Sequence, residues 1–190
     1  YSNRTAVAVQ VRTAETFLHN YANDFDRVVN DSALVNRLSN RRETKRELDI
    51  LVGKGYGFFL YRQAEGVANL RFWNEQLILP PAEIREKKDG EYFRKLSNGY
   101  YYIVRKTIPH QPGLVAYAMV LVRSSFFITT EYLPQHFTFS ETADKRVAIS
   151  SQATDFVVKD RKGGTLFYLD KRMANNIPYN DNVTIALRFG

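Results

Sequence analysis

No proline and no glycine occurs between Tyr1 and Val52, and the absence of these two backbone punctuators constrains the fold more than any other feature. Within that stretch Val7, Val11, Ala14, Leu18, Tyr21, Phe25 and Val28 recur in steps of four and three, the spacing of one helix face and close to a heptad. An unbroken helix of about 30 residues would run about 45 Å, long for a domain of this size. Asn30, Asp31 and Ser32 are cap- and turn-forming residues that favour a break, and Val35 and Leu38 carry the stripe past it. Such a stripe packs a helix on its own sheet. The same spacing would also serve a rod that carries motion to or from a membrane, and it leaves a parallel homodimer open. Residues 40–54 are polar, with Leu48, Ile50, Leu51 and Val52 as anchors, and predict a second helical segment. Its basic cluster, Arg41, Arg42, Lys45 and Arg46, reads as a solvated face.

The texture changes at Gly53. Residues 57–62 and 67–73 alternate as strands about a turn at 63–66, with Leu70 and Phe72 on one face of the second strand and Arg71 and Trp73 on the other. Pro80-Pro81 stops regular pairing, and the charged run 82–90 is a loop or short helix. Residues 91–96 predict one turn of helix. Asn98-Gly99 marks a turn, residues 100–107 a strand of aromatic and β-branched residues, and residues 114–122 a buried central strand. The short hairpin connections make antiparallel pairing natural. Residues 123–139 read as helix and loop. Residues 147–151, 156–159, 165–169 and 183–189 read as short strands of a smaller sheet. The expected fold class is α+β, a long N-terminal helix packed on an antiparallel sheet with a smaller C-terminal β-rich subdomain. The expected divisions are a helical segment at 1–52, a core at 53–139 and a β subdomain at 140–190.

Motifs for chemistry are sparse. The chain has no cysteine, which removes thiolate catalysis, thiolate zinc sites and disulfides together. His19, His110 and His136 are never three or four residues apart, so no helical metal pair exists. Gly53-Lys54-Gly55-Tyr56-Gly57 has a helix before it and a strand after it, the reverse of a phosphate-cradling loop. Asp24, Asp26 and Asp31 lack the spacing and glycine of a calcium loop, and no serine sits in a Gly-x-Ser-x-Gly elbow. No cofactor and no catalytic residue is expected. The net charge of +7, from 27 basic and 20 acidic residues, would attract anions. The stacking candidate at 99–104 lacks the basic and glycine framing of an RNA-binding strand, so nucleic acid is not an expected partner. The chain starts at Tyr1 without a Met and holds no apolar run of about 20 residues. It reads as an excised or processed piece, and membrane spans would lie outside it.

The order of a long helix, a second helix, an antiparallel sheet of hairpins and a closing strand resembles the PAS-like Cache family of extracytoplasmic sensor domains. Gly57-Phe58-Phe59-Leu60-Tyr61 followed by Leu70-Arg71-Phe72-Trp73-Asn74 is similar to the opening hairpin of such domains in membrane-bound histidine kinases, and Phe93-Arg94-Lys95-Leu96-Ser97-Asn98-Gly99-Tyr100-Tyr101 to the next strand's lead-in. The resemblance covers about residues 1–135. It implies a periplasmic domain of an inner-membrane two-component kinase, tethered by flanking spans, that detects a small molecule or a partner and has no catalysis of its own. The pocket candidates are Arg71, Trp73, Tyr102 and Tyr117: a guanidinium fork suits a carboxylate, and Trp and Tyr give apolar walls with a polar handle. Two competing expectations remain: a nucleic-acid or anionic-partner binding module, and an enzyme whose site is assembled from scattered residues.

Overall fold

The computed structural model describes residues 2–75, 78–125 and 135–172. The Pro- and Gly-free stretch forms α1 (Asn3–Asn30) and α2 (Ser32–Ser39). The break falls at Asp31, whose carboxylate caps α2 by accepting from the Leu34 amide at 3.0 Å. α3 (Lys45–Val52) begins five residues later than the predicted segment, at a Thr44–Glu47 capping box. Glu47 also holds the Arg37 guanidinium in three contacts of 2.8–3.1 Å, fastening α2 to α3.

The remaining elements are β1 (Gly57–Ala64), β2 (Val67–Trp73), α4 (Ala82–Arg85), β3 (Gly90–Leu96), β4 (Gly99–Thr107), β5 (Leu114–Ser124), α5 (Ala143–Arg146), β6 (Val147–Ser150), β7 (Phe156–Lys159) and β8 (Thr165–Lys171). β1 to β5 form an antiparallel sheet in the order β2-β1-β5-β4-β3, and β6 to β8 a three-stranded sheet in the order β6-β8-β7. The α+β class, the long leading helix and the smaller second sheet are all present. One element corrects the sequence reading. Residues 91–96 are not a helical turn but part of edge strand β3, hairpinned to β4 through the turn before Gly99. The strand predicted at 183–189 and most of the helix-and-loop stretch at 123–139 lie outside the described residues.

Contacts group the chain into two compact units. One holds residues 1–16, 95–100 and 121–190. Its core is made by Val7, Ala14, Phe137, Val147, Val158, Phe167 and Leu169, each less than 9% exposed, and Arg123 is set over the Phe137 ring with its guanidinium 3.6 Å from Asp144.

The other unit holds residues 17–94 and 101–120, including most of the five-stranded sheet. The register pairs Phe58 with Ala118 and Leu60 with Ala116, and these residues face α1. Phe25 of α1 lies 5.8 Å from the Phe58 ring and 6.5 Å from Tyr56, fully buried. Burying a Phe side chain of this kind stabilises by about 1.5–3 kcal/mol. Polar bonds flank this contact. Tyr56 donates its hydroxyl to Asp24 at 2.7 Å, Lys54 reaches the same carboxylate at 3.0 Å, and Lys106 of β4 lies 3.6 Å from Asp26. Burial would raise the Asp24 carboxyl, but the bonds from Tyr56 and Lys54 and the nearby Arg27 outweigh it and hold it below the usual range. Burial, reinforced by Asp24, pushes the Tyr56 hydroxyl well above the usual phenol range, so it stays a donor.

Candidate functional site

A strand covered on both sides cannot alternate apolar with polar, and β1 is buried from Gly57 to Tyr61. Its register with β5 pairs Phe59 with Tyr117 and Tyr61 with Val115, which puts these residues on the face turned away from α1. There the Tyr61 and Tyr117 rings meet edge to face at 5.6 Å and 87°. Both rings are buried.

The segment from α4 to Asp89 lies over this far face. Ile84 is its buried anchor. The Arg85 carbonyl accepts from Gln63 of β1 and from Arg105 of β4, both at 3.4 Å. Asp89 accepts from the Arg105 guanidinium at 2.6 Å and from the Thr107 amide and hydroxyl at 2.9 Å. Each guanidinium stands over one tyrosine, Arg85 5.4 Å from the centre of the Tyr61 ring and Arg105 6.0 Å from that of Tyr117. Gln63 also reaches the Tyr117 hydroxyl at 3.4 Å. Beside this cluster a cleft of about 480 Å³ opens between the β1–β2 hairpin and α4, with Gln63, Glu65, Arg85 and Glu86 among its lining residues.

Burial pushes both tyrosine hydroxyls above the usual phenol range, against the opposing pull of Arg85 on Tyr61 and of Arg105 and Arg85 on Tyr117. They are therefore hydrogen-bond donors near neutral pH. Two buried polar atoms in the cluster have no hydrogen-bond partner: the Tyr61 hydroxyl and Nε of Arg105. Leaving such a group unsatisfied costs about 1–3 kcal/mol. Among the described residues no group of His, Asp and Glu is placed to hold a metal ion, and no helix is long and apolar enough to cross a membrane.

The four residues predicted for a pocket are not brought together. Tyr117 belongs to the cluster. Tyr102 shares its strand face with Lys106, which meets Asp26 of α1, so it lies on the opposite side of the sheet, bonded through its hydroxyl to Glu91. Arg71 sits at a β-bulge: Leu60 pairs with Phe72 and Tyr61 with Leu70, leaving Arg71 without a partner on β1. The bulge breaks the alternation that would align it with Trp73. Arg71 donates Nε to the Ser39 carbonyl at the end of α2, at 2.9 Å, while Trp73 pairs with Phe59 and is 37% exposed. Sequence reasoning missed Tyr61, Gln63, Arg85 and Arg105. Gln63 and Arg105 carried one signal, polarity inside strands covered on both faces: Gln63 after a buried run, and Arg105 after Tyr101-Tyr102-Ile103-Val104.

No protein-family model, curated protein or solved structure matches this chain.

Proposed function

We propose that this chain is the extracytoplasmic sensor domain of a membrane-bound two-component histidine kinase, and that it detects a small molecule on the far face of its five-stranded sheet. The supporting observation is the layering of that sheet. A long helix is bonded to one face, and a short helical segment on the other covers the buried Tyr61–Tyr117 pair, with one guanidinium over each ring. The resemblance of the β1–β2 hairpin and the β3–β4 lead-in to PAS-like Cache domains supplies the membrane setting and the kinase partner.

The same arrangement suggests how a signal would travel. Tyr61 and Gln63 lie on β1, and β1 begins one residue after Tyr56, which is bonded to Asp24 of α1. A ligand that binds more tightly to one position of β1 than to another would bias the position of α1 through that bond.

This chain holds no cysteine, so the setting is testable with a single introduced thiol once any cysteine elsewhere in the full-length protein is replaced. Lys162 lies exposed in the turn before β8. In the full-length protein, Lys162→Cys should react with a membrane-impermeant maleimide once the outer envelope is opened and the inner membrane is intact. Labelling only after the inner membrane is lysed would contradict the proposal.

A further inference from the structure

We propose that the unit with the three-stranded sheet carries, at the end where α1 begins, a docking surface for an anionic phospholipid bilayer, with Lys145, Arg146, Lys171 and Arg172 as its contacts; this rests on the sensing role argued above. The pairing of β6 with β8 assembles it. Val147 lies opposite Lys171, and the Arg172 amide donates to the Arg146 carbonyl at 2.9 Å. Two basic pairs far apart in sequence are thereby set side by side. Arg146 also lines a cleft with Ser2, Asn3, Ala6 and Val9, so the cluster borders the first two turns of α1. On the sensing role a membrane span leads into α1, which turns this end toward the bilayer.

Charge balance identifies the partner. Lys145, Arg146 and Lys171 are exposed and Arg172 is half-buried. Among the described residues none of the four has a carboxylate within salt-bridge distance. Asp144 precedes them, but its carboxylate is turned to Arg123 at 3.6 Å and to the Phe137 amide at 3.0 Å, and Arg172 reaches only its carbonyl. Asp170 falls on the face of β8 opposite Lys171, by strand alternation. Asp170 and the exposed Glu141 reduce the excess and leave it positive. A small anion would engage one of these cations and leave the others unmatched. An anionic headgroup layer presents many charges in one plane, and each Lys or Arg near it adds to the attraction. Val9, 40% exposed in the same cleft as Arg146, adds apolar surface at the headgroup boundary.

The test is titration of the whole chain with bicelles of phosphatidylcholine alone and of phosphatidylcholine mixed with phosphatidylglycerol, followed by backbone amide spectra. The mixed bicelles should shift and broaden the amides of residues 2–6, 145–148 and 170–172, less so as salt is raised, and the neutral bicelles should not. Replacing both Lys145→Gln and Lys171→Gln should weaken binding to the mixed bicelles by about 25-fold, near fivefold for each cation lost. Both side chains are exposed, so the variant should melt where the parent does. Replacing Arg41→Gln and Arg42→Gln, in the basic α2–α3 corner of the other unit, should leave binding unchanged. Equal response to neutral bicelles, equal losses from the two double variants, or amide changes centred on the α2–α3 corner would each overturn the docking surface. Tighter binding of short duplex DNA by the same residues would assign the cluster to nucleic acid instead. Loss of bicelle binding alongside labelling of Lys162→Cys from the periplasmic side would sink the docking surface and leave the sensor reading standing. Labelling only from the cytoplasmic side would sink the sensor reading and leave the lipid result intact.

Discussion

On the α1 face of the five-stranded sheet, Tyr56 gives its hydroxyl to Asp24 at 2.7 Å; on the far face Tyr61, further along the same stretch of chain and equally buried, gives its hydroxyl to nothing. The Asp24 carboxylate on the first side takes bonds from both Tyr56 and Lys54. On the second side one of two guanidiniums is paired with a carboxylate and the other rests on a ring. A face whose polar atoms are satisfied contributes stability and holds a helix. A face that buries donors without acceptors gives up about 1–3 kcal/mol per donor. The contrast separates the face that holds α1 from the face under which the proposed binding site lies.

The largest expected effect lies on the frame side. Phe25→Ala removes a fully buried ring from between Tyr56 and Phe58, and it should cost about 3–5 kcal/mol in denaturant unfolding. A loss below about 1 kcal/mol would mean that α1 is not packed as described. Gly113 sharpens the far side. It adopts φ +80° in the β4–β5 connection, its carbonyl accepts from the Gln63 amide at 2.7 Å, and an added Cβ would lie 2.6 Å from the Gln63 carbonyl oxygen. Gly113→Ala should destabilise by about 1–3 kcal/mol and should perturb the amide signals of Gln63 and its cleft neighbours more than those of α1. Equal perturbation of both faces would show that the faces are not separable.

A smaller effect concerns the α2–α3 corner, part of the frame. The Arg37 guanidinium, followed by the Thr44 amide, holds the Glu47 carboxyl at about 2 against an ordinary 4.5. A carboxyl with a depressed folded-state pKa adds stability above its unfolded value and loses it as pH falls through the folded value. The Glu47 contribution should therefore be intact above about 4.5 and should fade between 4.5 and about 2. Both groups are on the surface, so the effect is modest and weakened by salt. Glu47→Gln should flatten the acid limb of a stability–pH curve, and an unchanged limb would remove this pair from the account.

What could be read from the sequence follows a physical line. α1 and its break at Asp31 were legible because helix periodicity and cap chemistry are local. The β1–β2 hairpin and β4–β5 were legible because alternation and turn residues are local too. β3 was misread because Glu91, Lys95 and Leu96 favour a helix as isolated residues. Its state is set by pairing with β4, and its charged residues suit a sheet edge. Arg71 was misplaced because a bulge is a property of two strands together. The Tyr61–Arg85 and Tyr117–Arg105 stacks depend on the β1–β5 register and on where α4 folds back. Neither is written in the spacing of any one segment.

Paired denaturant titrations of Tyr56→Phe and Tyr61→Phe, without added ligand, test the difference between the faces most directly. The account predicts that Tyr56→Phe loses about 1–2 kcal/mol, because Asp24 loses the shorter of its two bonds and keeps only that from Lys54, and that Tyr61→Phe loses nothing or gains slightly, because its hydroxyl has no partner within hydrogen-bond geometry. A loss at Tyr61 equal to that at Tyr56 would mean that its hydroxyl is already satisfied and that the far face is ordinary core.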